Sequence, residues 1–232
     1  FYEEDKLKSE FISIASHELL TPTAAIEGYL SMALDKKMTQ TASQHSQYIQ
    51  RAYDSSRRLA DLVKDLLSIS RIESGRIKIV SVPLDVVAIL DQAVGELQAT
   101  AKAKDLNLAF IKPTNIPKVL ADPDRVMQVC INLINNSIKY TPKGSVTISV
   151  HLEKNMVVVE VKDTGIGIDK SDQAHLFEKF HRIDNPATAG IMGTGLGLYI
   201  SKNIISLLGG EMTLQSATGQ GSTFSFSLPV AK

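Results

Sequence analysis

The sequence has no Trp and a single cysteine, Cys130. One cysteine closes no intramolecular disulfide, which fits a reducing compartment. No apolar run reaches the roughly 20 residues that a membrane-spanning helix needs, and no secretory signal opens the chain. Charge of one sign is missing too: 25 Lys and Arg balance 25 Asp and Glu. This balance, with no basic run or acidic tail, argues against broad electrostatic binding to nucleic acid. No Cys/His cluster has the spacing of a zinc site. There is no Gly-Lys pair, so a Walker P-loop is excluded. Internal repeats and low-complexity segments are absent. An initiator Met is also lacking, and the chain opens inside a helical stretch, Phe1 to Leu7, so a fragment with a missing upstream part is expected.

What is present suffices for a core. Apolar residues make up 44% of 232, enough for one large domain or two modest ones. Residues 1–35 read as helix. At about 100° per residue, Phe11, Ile14, Ala15, Leu19, Ile26, Tyr29, Leu30 and Ala33 share one broad face. His17 falls on the other side with Leu20, Thr21, Ala24 and Gly28, so its imidazole is expected to face away from the core. Pro22 should kink the helix just after it. A polar turn is expected near Lys36–Thr41, then a second helix from about Ala42 to Glu73. The stripe of that helix is Ile49, Ala52, Leu59, Leu62, Val63, Leu66 and Ile69. A two-helix hairpin leaves much apolar surface wet; pairing into a dimeric four-helix bundle is expected to bury it, with packing of the hairpin on its own chain as the alternative.

Ser74-Gly75 marks a boundary, dividing the chain into 1–74 and 75–232. Arg76–Val82 alternates like a strand, Leu84–Lys104 reads as helix and Leu106–Ile111 as strand. Asp122-Pro123 is an N-cap followed by Pro at the first helical position, opening a helix to about Lys139. Val146–Leu152 and Met156–Lys162 read as a hairpin. A Gly-rich stretch fills 163–195. A helix from Leu196 to Leu208 and strands Glu211–Gln215 and Ser222–Leu228 follow. Helices and strands mix without βαβ alternation, so the second part is read as an α+β two-layer sandwich.

Three segments carry candidate chemistry there. Gln128, Asn132, Asn135, Asn136 and Lys139 fall in one polar arc, opposite Val126, Val129, Cys130, Leu133 and Tyr140. Asn132 and Asn136 lie one turn apart. A carboxamide oxygen can ligate Mg²⁺ and its NH₂ can donate to phosphate; Lys139 can meet a phosphate as a point charge. An ordinary solvated face is the bland alternative. Asp163-Thr164-Gly165-Ile166-Gly167 follows a strand, with an acceptor for an adenine amine and glycines that allow close approach of a ligand; alone it is also an ordinary turn. Gly193-Thr194-Gly195-Leu196-Gly197 opens a helix, where free N–H groups suit phosphates. A dinucleotide fingerprint fails, because the third-glycine position is Leu198 or Lys170.

In this order the motifs resemble those of the sensor histidine kinases of two-component signalling, over almost the whole chain. Ser16-His17-Glu18-Leu19 with Thr21-Pro22 looks like the H box and Asn132 to Tyr140 the N box. Asp163 to Ile168 looks like G1, Leu176 to Phe180 the F box, and Gly193 to Leu198 G2. Gly219 to Phe224 resembles the last glycine motif. The resemblance implies a dimerisation and phosphoacceptor hairpin, then a catalytic ATP-binding domain of the kind shared with Hsp90, gyrase B and MutL. It implies His17 as phosphoacceptor, Asn136 on Mg²⁺ with Asn132 beside it, and Lys139 and Tyr140 near phosphate. Asp163 would bind adenine, Arg182 would approach the γ-phosphate, and Ile183 to Met192 would form a lid. Phe180, Gly165, Gly167 and Gly193 to Gly197 would line the nucleotide site. Partners implied are a second copy of the chain and a response regulator receiver domain, with membrane attachment only through an upstream segment and a cytoplasmic location. Departures are Leu20 at a position often basic, Thr23 where Leu is common and His181 where Tyr is.

The expected activity is ATP-dependent phosphorylation of His17 followed by transfer to a regulator aspartate. Glu18 would take the proton from the imidazole; Mg²⁺, Lys139 and Arg182 would neutralise phosphoryl charge. Thr21, one turn after His17, would orient a water in dephosphorylating the regulator. Rival readings are an ATPase of the same pocket type without self-phosphorylation, and a non-catalytic dimeric scaffold.

Overall fold

The computed structural model describes residues 2–35, 41–183, 188, 191 and 193–231. The chain divides into two compact units, Phe1–Ile77 and Lys78–Lys232. No helix among the described residues is long and apolar enough to cross a membrane.

The first unit is the helical hairpin. Helix α1 spans Tyr2–Leu34 and runs on through Pro22. Helix α2 spans Ala42–Glu73. Thr41 caps α2 reciprocally: its hydroxyl accepts from Gln44 N, and its own N–H donates to Gln44 Oε1 at 3.0 Å, which satisfies two otherwise orphan donors. Most of the expected turn, residues 36–40, lies outside the described residues. Ala15 and Pro22 of α1 and Ala52, Leu62 and Ile69 of α2 form the buried seam. On α1, Ile14 and Leu30 of the face read from sequence are exposed, and two residues of the α2 stripe do not belong to the seam either. Ile49 is 47% and Val63 41% exposed. They lie with exposed Tyr53 and Leu67 on a second apolar stripe of α2, alternating four and three residues apart through Ser56 and Ala60.

The second unit is a two-layer α+β sandwich. Its five-stranded sheet has the order β2 (Asn107–Ile111), β4 (Ser145–Glu153), β5 (Met156–Asp163), β7 (Gly221–Pro229), β6 (Met212–Ala217). Only β2 and β4 pair in parallel. Inward residues alternate along the strands, with Val161 opposite Ile148 and Phe224, and Val159 opposite Phe226. Helices α3 (Val86–Ala103), α4 (Pro123–Tyr140) and α6 (Gly197–Leu207) cover this face. Helix α4 buries Val126, Val129, Cys130 and Leu133, as expected, and also Ile134, Ser137 and Ile138.

One strand assignment needs correction, and one strand was missed. Residues 76–81 form no strand; β1 is Val82–Leu84 and pairs antiparallel with β3, Val119–Ala121, which the sequence pattern did not reveal. Asp122 is what organises this edge. Its Oδ1 caps α4 by accepting from Asp124 N and Arg125 N, and its Oδ2 accepts from Val80 N at 2.8 Å. Backbone bonds from Arg76 and Ile77 to the Arg71 carbonyl and this tertiary bond at Val80, rather than strand pairing, thus hold the 76–81 segment. The Gly-rich stretch also contains a short helix α5, Lys170–Gln173.

Candidate active site

The three candidate segments of the second unit meet. Asn132 on α4 donates through Nδ2 to Ser201 Oγ on α6 at 2.8 Å, and Asn136 Nδ2 reaches Asn132 Oδ1 at 3.5 Å. Gly197 lies so close that a Cβ there would press on the Asn132 carboxamide, and a Cβ on Gly193 would sit 2.5 Å from Lys139 Nζ. The amide and lysine face of α4 therefore abuts the loop from Gly193 to Gly197, where α6 begins, and the N-terminus of a helix suits anions.

That loop is backed by the segment holding Phe180. Gly195 has φ +69°, and a Cβ on it would lie 2.9 Å from Phe180 Cα and 3.0 Å from the His181 carbonyl. Phe180 itself adopts a left-handed backbone at φ 60°. Thr194 Oγ1 accepts from the N–H of Leu196, which is fully buried. Arg182 donates to the Ile191 carbonyl at 2.8 Å. Lys139 Nζ stands 5.1 Å over the Tyr140 ring. Burial pushes the Tyr140 hydroxyl pKa up, and the Arg182 charge partly opposes this. Most of the expected lid, residues 184–187, 189, 190 and 192, lies outside the described residues.

At the other end Asp163, 4% exposed, terminates β5. Its Oδ1 accepts from Gly165 N at 2.9 Å and from Ser222 N at 3.1 Å. Burial raises its pKa above the usual carboxylate range, against the pull of those two N–H groups and the Ser137 hydroxyl. That hydroxyl is buried and makes no hydrogen bond to another described residue. A Cβ on Gly165 would meet Asp163 Oδ1 at 2.8 Å and Thr141 Oγ1 at 3.0 Å. Gly167, at φ +67°, packs against the backbone of Ala217. The arrangement is a cleft with a buried acceptor at one end and amide, lysine and helix-terminal donors at the other. Such a pair of ends suits a base carrying an amine and a polyphosphate. Among the described residues no group of three His, Cys, Asp or Glu side chains forms a metal site. The donor set nevertheless fits Mg²⁺, which takes few protein oxygens and keeps water and phosphate ligands. Asn136 directs its NH₂ to Asn132, leaving its carbonyl oxygen as the atom to ligate.

Ser201, Ser137 and Ser222 were not among the residues singled out from sequence. Each is buried, and a serine inside the apolar stripe of α4 or α6 is the signal that could have found Ser137 and Ser201.

In the hairpin unit His17 is exposed, as its helix position requires. Thr21 Oγ1 donates to the His17 carbonyl at 3.1 Å. The Glu18 carboxylate lies 3.6 Å from Arg58 Nη2 of α2. Exposed Leu20 shares the His17 side of α1.

Residues 7–75 match the family model of the His Kinase A (phospho-acceptor) domain, and residues 121–232 that of the histidine kinase-, DNA gyrase B- and HSP90-like ATPases. The chain belongs to the sensor histidine kinases. Among its relatives is the circadian input-output histidine kinase CikA of Synechococcus elongatus, 36% identical over 96% of this chain and 30% of CikA. Full-length ShkA, solved with AMPPNP, is 28% identical with a TM-score of 0.72, over 95% of this chain and 46% of that one. ThkA, solved with the response regulator protein TrrA, shares the fold at a TM-score of 0.74 and 23% identity, over 99% of this chain and 66% of that one. This histidine kinase chain thus spans about a third of CikA and about half of ShkA. Its second unit carries the ATP-binding domain of the family.

Proposed function

We propose that this chain, with 1–74 as phosphoacceptor and dimerisation part and 75–232 as catalytic part, moves the γ-phosphoryl group of ATP to His17. The observation that carries the proposal is the convergence of Asn132, Lys139 and the Gly193–Gly197 loop on one cleft whose far end is the buried Asp163 acceptor. Asp163 takes the adenine amine, while Gly165 and Gly167 let the backbone approach the base. Asn132, Lys139, Tyr140 and Arg182 bind and orient the phosphates, with the N–H groups from Gly193 to Gly197. Phe180 backs that loop. Mg²⁺, held by Asn136, supplies charge neutralisation on the phosphates when bound. His17 attacks as neutral imidazole, and Glu18 receives the proton from the other ring nitrogen.

Two further elements belong to the proposal. The second apolar stripe of α2, with Tyr53 57% and Leu67 53% exposed, has the four-three spacing of a helical seam, which supports a homodimeric four-helix bundle. Exposed His17 and Leu20, and the complex of ThkA with TrrA, support transfer to an aspartate of a response regulator receiver domain. Thr21 is assigned to dephosphorylation of that regulator; Thr21→Ala should lose phosphatase activity and keep His17 labelling, and retention of both would remove the assignment. Any membrane attachment would come from a segment upstream of this chain.

The test is incubation with γ-labelled ATP and Mg²⁺ beside His17→Ala. Acid-labile, alkali-stable label that is lost in the variant is expected. ATP turnover without label would favour the plain ATPase reading, and absence of ATP binding would favour a scaffold.

A further inference from the structure

Helix α1 has no Lys or Arg between Ser9 and Asp35. The position after His17-Glu18-Leu19, often basic in the family, is Leu20. No cation from α1 therefore accompanies Glu18 along this stretch. The structure places one there from α2: Arg58 Nη2 is 3.6 Å from Glu18 Oε2, with the side chains only 27% and 26% exposed. The pair sits at the edge of the hairpin seam. Glu18 lies between buried Ala15 and Pro22 on α1, and Arg58 one turn before buried Leu62 on α2. Partly buried pairs hold their geometry better than exposed ones, because water screens them less. Arg57, next to Arg58, faces solvent.

We infer that Arg58 is a positioning residue for phosphorylation of His17: it fixes the carboxylate of Glu18, the next residue along α1, so that the proton has an acceptor of defined place. The inference rests on the proposed role of Glu18. In the step, the lone pair of one imidazole nitrogen forms the N–P bond and the bond from the γ-phosphorus to its bridging oxygen breaks. That electron pair leaves with ADP, and the proton on the other ring nitrogen passes to Glu18. A carboxylate free to rotate away would be a poorer acceptor, since misplacement by about 1 Å can lower rates on the order of a hundredfold.

The experiment measures initial rates of His17 labelling in the whole chain for Arg58→Ala, Arg58→Lys, Arg58→Gln and Arg57→Ala. Glu18→Gln and the double variant Glu18→Gln/Arg58→Ala complete the cycle. Arg58→Ala should lower kcat roughly ten- to hundredfold, with KM for ATP changed by no more than about twofold. Arg58→Lys should restore most of the rate, and Arg57→Ala should match the wild type. In the Glu18→Gln background Arg58→Ala should have no further effect, whereas a merely structural arginine would lower both backgrounds alike. If Arg58→Ala loses helicity by circular dichroism, Arg58→Gln decides, and a rate equal to Arg58→Lys overturns the inference. Equal losses in both backgrounds overturn it as well. A fully active Glu18→Gln removes the role of Glu18 itself, and a wild-type chain that takes no label removes the kinase reading along with it.

Discussion

Replacing Asp163 with Asn separates the two duties of this carboxylate. Oδ1 accepts the Gly165 and Ser222 N–H groups at 2.9 and 3.1 Å, and an asparagine oxygen in the same place keeps both bonds. Charged acceptors contribute about 1.5–3 kcal/mol per bond and neutral ones about 0.5–1.5, so the two bonds together lose roughly 2 kcal/mol. Against this, burial is the strongest influence on Asp163 and outweighs its hydrogen bonds, because the net pKa shift is upward. The ionised form is therefore disfavoured in the fold, and neutralising it offsets the weakened bonds. The stability of the free chain should change by less than about 1 kcal/mol, a Tm shift of about 2–4 °C at most. ATP fares differently. An NH₂ replaces Oδ2 opposite the adenine amine, so two donors meet in a buried place at about 1–3 kcal/mol for each unsatisfied group. Affinity should fall roughly 30-fold or more. Calorimetric titration with Mg-ATP beside a thermal melt measures both quantities. Wild-type affinity in Asp163→Asn would refute the assignment of the adenine contact, and a melt lowered by more than about 6 °C would refute the balance of terms.

Other expectations follow from the same geometry. The raised pKa of Asp163 means that its contribution to stability is fully present below the unfolded-state value and is lost as pH rises through the folded-state value. The stability difference between wild type and Asp163→Asn, from urea unfolding, should therefore shift against the wild type as pH rises, and the opposite slope would contradict the burial argument. Gly195→Ala meets the Phe180 backbone at 2.8 Å at φ +69°, whereas Gly219→Ala at φ +75° meets nothing within 4 Å. Gly219→Ala should cost only the left-handed backbone penalty of about 1–2 kcal/mol, and Gly195→Ala distinctly more, with weakened ATP binding in the same titration. Ser201→Ala removes the acceptor of Asn132 Nδ2 and should destabilise by about 1–2 kcal/mol in urea melts. Val63→Lys with Leu67→Lys should turn the dimer into monomer by sedimentation, with the Leu62 and Ile69 seam intact by circular dichroism.

The parts legible in the sequence were those written in local chemistry. Helix α4 announced both its ends, through Asp122-Pro123 and Thr141-Pro142, and its polar arc could be drawn before any fold was known. The β4–β5 hairpin showed in its alternation and its tight turn. What escaped depends on partners distant along the chain. Strands β1 and β3 are three residues each, too short for a period, and exist because they pair with each other. The Asn132–Ser201 bond spans 69 residues. Helical periodicity also merged two faces of α2: Ile49 and Val63 are apolar at helical spacing, yet the hairpin turns them outward. The candidate cleft was thus legible as a set of residues, and its architecture was not.

The order of strands in the main sheet sets when the adenine end of the cleft can exist. Asp163 ends β5, yet one of the two N–H groups that hold its carboxylate comes from Ser222, 59 residues later. That residue is the second of β7, which lies between β5 and β6. A ribosome that has made everything through α6 has produced both asparagines, the lysine and the Gly193–Gly197 loop, but a sheet without the strand that joins β5 to β6. On the proposed assignment of Asp163 to adenine, ligand binding would report on completed synthesis of the catalytic unit, and nucleotide would stabilise only chains in which β7 has already been inserted.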